Sequence, residues 1–275
     1  MTEKNPGKIA LALSLPVSVL LIIASYFGVF IENTYSRETL TLAAQGIGQD
    51  IVNLFIISPL LLITSFLAYK KNKAAMLIWS GAIFYLIYSY AIYTFAIHFN
   101  SLFIVYCFIL GLSFYSFMYF MYFILSQINE PVIDWYSSNI PIKTISVFLI
   151  VIAILFYFLW LSEIIPALIK NEIPKSITEN GILTNPVHVL DLSVVLPGLL
   201  ITAIFLLKKK SLGFLLAPAM LMFCILMSLA IGGMVIAMRM KGIESDVSLT
   251  IIFGFITLMS TIILVMFLKN IKKKE

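Results

Sequence analysis

Residues 184–211 read TNPVHVLDLSVVLPGLLITAIFLLKKKS. Asn185 and Pro186 form a helix-start signal, and from there the chain stays almost wholly apolar until it meets Lys208, Lys209 and Lys210. An apolar run of about 20 residues is what a helix needs to cross a hydrocarbon core of roughly 30 Å. Working outward, seven more such runs appear, giving spans at about 9–30, 51–69, 74–97, 102–126, 145–168, 186–207, 212–238 and 247–268. The composition agrees: of 275 residues 61% are hydrophobic and 11% charged, where a soluble domain carries about 25% charged residues. The expected fold is therefore an all-α, polytopic transmembrane bundle of eight spans, one integral membrane domain over 1–275. The first run follows Lys4 and Lys8 but outlasts a signal-peptide core and no small-x-small cleavage site follows it, so it counts as a true span.

The charges mark loops. With the N-terminus inside, 13 of the 18 Lys and Arg residues fall in inner segments, among them Lys4, Lys70, Lys71, Lys209, Lys273 and Lys274. Arg37, Lys170, Lys175, Arg239 and Lys241 remain outside. The positive-inside bias and the even span number both put the two termini in the cytoplasm. A net charge of +5 so distributed points to a bilayer and to no nucleic acid. Cys107 and Cys224 lie inside apolar runs, so neither a disulfide framework nor a thiolate cluster is expected. No loop is long enough for a soluble domain, and the stretch from Gln127 to Lys143, with Glu130, Asp134, Trp135 and Tyr136, reads as an interfacial linker.

Sliding the chain on itself by 138 residues superposes PLLLITSFLAYKKNK, from Pro59, on PGLLITAIFLLKKKS, from Pro197, with seven of fifteen positions identical. The loop lengths follow the same shift. The expectation is a tandem four-plus-four repeat, 1–138 and 139–275, whose halves share one orientation. Pro59 and Pro197 should bend the second and sixth spans at similar depth. Thr250, Gly254, Thr257 and Thr261 share one face of the last span, and Ser228 with Gly232 makes a small-xxx-small pair; both predict close helix approach.

Ionisable side chains within spans are functional candidates by default. Those here gather at the outer ends: Asp50 with Asn53, His98 with Asn100, Glu163, and His188 with Asp191. The shift aligns Asp50 with His188 and Asn53 with Asp191, two polar i, i+3 pairs. Asp50 reads as the N-cap of the second span. Glu163 reads as a snorkelling group or a partner of Lys170, and His98 and Asn100 as turn residues. Asp191 lies past the last free N–H of its helix and needs a partner in His188, Arg239 or a wet cavity. Tyr115, Tyr119 and Tyr122 form a stripe on the fourth span and Tyr85, Tyr88 and Tyr93 crowd one side of the third; both read as packing, and the hydroxyls of both need partners, so part of the interior should be polar or wet.

Two histidines without HExxH or a neighbouring cysteine do not make a zinc site, and no phosphate-binding loop, dinucleotide fingerprint or Ser-His-Asp set is present. A bis-histidine haem would need His98 and His188 on facing helices. No metal or cofactor is expected.

The stretches YLIYSYAIYTFAIHFN from Tyr85, WLSEIIPAL from Trp160 and TNPVHVLDLSVVLPGLL from Thr184 resemble those of a family of bacterial multi-spanning integral membrane proteins, from about Gly48 to Met238. The resemblance implies a bacterial cytoplasmic membrane and no particular activity. The leading functional expectation is an outward-facing polar vestibule at His188, Asp191, Glu163, Asp50, Asn53, His98 and Arg239, binding or transporting a small molecule or lipid headgroup. The alternatives are a membrane enzyme using His188 and Asp191 as an acid-base pair on a lipid-linked or quinone substrate, and a structural or sensor subunit. A continuous cavity would favour the first, a closed pocket the second, and polar groups paired among themselves the third.

Overall fold

The computed structural model describes residues 6–127, 132–245 and 247–272. Lys4, Lys273, Lys274 and Glu130 lie outside the described residues. The described residues are 84% helix, and among them there is no strand beyond an isolated bridge between Tyr136 and Ile271. Among the described residues eight helices are long and apolar enough to cross a membrane, which makes this an integral membrane protein. They are α1 (Pro6–Phe30), α2 (Leu40–Tyr69), α3 (Lys73–Phe95), α4 (Phe103–Gln127), α5 (Ile142–Lys170), α6 (Pro186–Leu207), α7 (Ser211–Met240) and α8 (Val247–Leu268).

Helix α2 starts eleven residues before the expected 51. Its cap is Thr39, whose hydroxyl accepts from the Leu42 N–H at 3.2 Å. The segment LTLAAQGIGQ carries two glutamines and two glycines and so lacks the look of a span, yet tertiary packing uses the glycines. A Cβ on Gly46 would meet the Tyr35 ring, and one on Gly48 would overlap the backbone of Gly233 on α7. Asp50 is therefore the eleventh residue of its helix, and its expected capping role is corrected.

Helices α1 to α4 close into a bundle in which each packs on its sequence neighbours and α1 returns to α4. Helices α5 to α8 pack in series, α5 on α6, α6 on α7 and α7 on α8, while α5 and α8 scarcely touch. Helix α7 joins the two groups by packing on α2 and α3, so α3 and α7 are the most buried spans. Lipid offers no hydrophobic drive for helices to associate, so close backbone approach and hydrogen bonds must hold them. Gly81 of α3 lies against Ala219 and Met222 of α7, and the Trp79 indole donates to Ser14 Oγ of α1 at 2.7 Å.

The expected small-residue contacts are displaced. Gly254 and Gly232 have nothing within reach of a Cβ, and Thr261 is exposed; the tight crossing is instead at Gly233, one residue beyond the predicted pair.

Each proline bend is built as a π turn. Asn53–Ile57 in α2 and Asp191–Val195 in α6 are one residue wide of α geometry, with the Ser58 N–H donating to the Asn53 carbonyl and the Leu196 N–H to that of Asp191. Pro59 and Pro197 follow two residues later; lacking an N–H and crowding the preceding turn, proline disfavours regular helix there. The turns are 138 residues apart, as are Lys71 and Lys209, which end α2 and α6 at positive φ.

Candidate functional site

Asn185 caps α6, its side chain accepting from the Val187 and His188 N–H groups, and Pro186 fills the first turn. This start sets the rotation of α6, and Asp191 opens the π turn one residue after the α segment ends. Asp191 is 7% exposed. The Tyr88 hydroxyl of α3 donates to Oδ1 at 3.0 Å, and the Trp160 indole N–H of α5 donates to Oδ2 at 2.7 Å. Among the described residues no lysine, arginine or histidine is paired with it. The partners expected from sequence, His188 and Arg239, are replaced by two neutral donors, one from each half of the chain.

Asp191 borders a cavity of about 410 Å³ between α5, α6, α7 and α8, with Tyr88 and Ile92 of α3 on one side. Five aromatic rings contribute to a mainly aliphatic lining: Tyr88, Phe156, Trp160, Phe223 and Phe253. Gln49, Cys224 and Ser228 add polar atoms, and Leu199, Met227 and Ile256 are among the aliphatic lining. The seam between α5 and α8 is bridged only loosely at this level, the Phe156 and Phe253 ring centres being 6.2 Å apart. Gln49, 5% exposed, has an amide nitrogen without a hydrogen-bond partner among the described residues.

His188 packs its ring on Trp160, centre to centre 4.7 Å, and its Nε2 is 3.6 Å from Glu163 Oε2. Glu163 Oε1 accepts from the Ser176 N–H at 3.1 Å and so ties the short helix Lys175–Asn180 to α5. Asn185 Nδ2 donates to Ser176 Oγ at 3.2 Å. Glu163 is thus the partner of His188 and of a loop, in place of Lys170.

The first half holds a second cluster. Asp50, 1% exposed, accepts from the hydroxyls of Tyr35 and, at 3.1 Å, Tyr93; Asn53 Oδ1 accepts from the Tyr85 hydroxyl at 2.8 Å. A Cβ on Gly28 would collide with the Asp50 carboxylate, which is why α1 carries glycine there. Tyr35 lies outside the spans, in the turn Glu32–Tyr35; burial first, and then the charge of Asp50, push its phenol well above the ordinary tyrosine range. Tyr85, Tyr88 and Tyr93 thus find the partners their hydroxyls required, whereas the buried Tyr90 hydroxyl has none among the described residues. In the fourth span Tyr119 packs against the core, its ring centre 6.1 Å from that of Phe123, while Tyr115 and Tyr122 are 69% and 64% exposed, which corrects the packing reading for those two.

His98 and Arg239 belong to neither cluster. His98 Nδ1 is 3.0 Å from Glu38 Oε2, and its backbone N–H donates to Glu38 Oε1 at 2.7 Å. Arg239 is spent on Ser245, at 3.0 Å to Oγ and 3.1 Å to the carbonyl oxygen. Asn100 is the turn residue expected, accepting from the Leu102 N–H at 2.9 Å. Among the described residues no three His, Cys, Asp or Glu side chains are grouped to hold a metal ion. Sequence reasoning missed Trp160, Tyr35, Gln49 and Glu38. An indole three residues before Glu163, and so about one turn away on the same helix face, was a signal for the first; nothing local marked the others.

Comparison of the chain with protein-family models, with curated proteins and with solved structures finds no match.

Proposed function

We propose that this integral membrane protein binds a small, largely apolar molecule in the cavity between α5, α6, α7 and α8, with Asp191 as its polar anchor, as part of a binding or transport activity. The carrying observation is the cavity itself, about 410 Å³ and bordered by a carboxylate held by donors from two other helices. Ligand sites combine this size, an apolar lining and a few placed polar groups. The Asp50 cluster has the opposite character: the Asp50 carboxylate and Asn53 Oδ1 accept from tyrosines and border none of the described cavities, which supports a structural role for that half. The acid-base reading has less support, because no hydrogen bond joins His188 to Asp191 and both carboxylate oxygens already have donors.

The two halves are best read as a tandem duplication, supported by the π turns and positive-φ lysines at one 138-residue spacing. The lysine excess on the face of the α2–α3 and α6–α7 turns supports cytoplasmic termini in a bacterial cytoplasmic membrane.

Native mass spectrometry of protein drawn from its own membrane tests the proposal. A discrete small-molecule mass is expected on the wild type and not on Ser228→Phe, in which the new ring fills the cavity. The same bilayer lipids on both, and nothing else, would count against it.

A further inference from the structure

We propose that the occupant of this cavity is an apolar monovalent organic cation, an amine or quaternary ammonium on an aromatic or branched aliphatic body; the inference rests on the binding reading above. Asp191, unlike Asp50, borders a cavity, and no cation lies beside it among the described residues. Tyr88 and Trp160 orient the carboxyl group and bring no positive charge to it. Five aromatic rings share the lining, and ring faces attract ammonium groups most strongly where water is excluded. No lysine or arginine is among the lining residues, so a phosphate or carboxylate headgroup would meet only repulsion from Asp191.

Size narrows the class further. A cavity of about 150 Å³ holds benzene, so about 410 Å³ takes one ring with a substituted ammonium head and a short chain. A larger body would have to leave through the α5–α8 seam. The first half shows what removes the site: Tyr85, which the 138-residue shift places on Phe223, donates to Asn53 and fills that interior, whereas Phe223 has no hydroxyl to offer Asp191.

The test compares benzyltrimethylammonium with neopentylbenzene, in which a quaternary carbon replaces the charged nitrogen at the same shape. Calorimetric titration of the detergent-solubilised protein, with Ser228→Phe as the blank for partition into micelles, should give a preference for the cation of roughly tenfold or more. In Asp191→Asn that preference should vanish while the neutral isostere still binds. The wild-type comparison does not depend on Asp191→Asn, and empty micelles can replace Ser228→Phe as the blank, so the inference remains testable if either variant fails to fold. Equal binding of the two probes would overturn the cation class and leave the cavity reading standing. Binding of neither would overturn both, and a preference that survives Asp191→Asn would overturn the role of Asp191.

Discussion

Tyr35 and Asp50 show at the scale of single residues how this protein keeps a carboxylate out of water. Replacing Tyr35 with Phe removes one of two donors to a buried charged acceptor, and hydrogen bonds to charged groups are worth about 1.5–3 kcal/mol. Unfolding of Tyr35→Phe in mixed micelles should show a loss of about that size, against a change within about 0.5 kcal/mol for the exposed Tyr115→Phe. The pH dependence has a defined sign. Because the phenol of folded Tyr35 holds its proton above the ordinary tyrosine range, its contribution is complete below about pH 10 and is lost as pH rises through the raised value. Asp191 was legible as a residue in need of partners, from its place beyond the free N–H groups of α6. Its donors were not, since Tyr88 and Trp160 are distant in sequence and reach it only through helix packing.

At the scale of elements, the α2–α7 crossing depends on having no side chains at its point of contact. A Cβ at Gly48 would overlap the Gly233 backbone, and one at Gly233 would meet the Gly48 carbonyl oxygen and the Val52 side chain at 2.7 Å. Gly48→Val and Gly233→Val should each cost about 1–3 kcal/mol through overpacking, read as a fall in thermal stability. Gly254→Ala, with open space around its Cβ, should be neutral or slightly stabilising by helix propensity. The 138-residue shift carries Gly48 to Pro186 and Gly233 to Phe95, and these two line a cleft of about 550 Å³ between the end of α3 and the start of α6. Glycines let one pair of helices meet, and a proline and a phenylalanine hold the corresponding pair apart. The two prolines were readable as bends, but the π turns were not. A proline excludes a regular turn without dictating whether the helix kinks, widens or stops, and here the neighbouring helices decide for widening.

For the whole molecule, orientation is open to direct measurement. In a background with Cys107 and Cys224 replaced by alanine, a membrane-impermeant maleimide should label Leu183→Cys on intact cells and Lys209→Cys only after permeabilisation. The reverse pattern would invert the topology argued from lysine counts. The number of spans, their approximate places and the membrane class were determined by the sequence alone, because the length of an apolar run is a local property that a bilayer reads directly. The early start of α2 escaped, because Gln45, Gly46, Gly48 and Gln49 become acceptable inside a span only when Tyr35 and Gly233 pack on the glycines. The division of the polar residues into a closed cluster at Asp50 and a cavity at Asp191, with His98 and Arg239 in neither, was decided by tertiary structure. Which side chains meet depends on the rotation of one helix against another, and that rotation comes from contacts between segments a hundred or more residues apart, such as Tyr88 with Asp191.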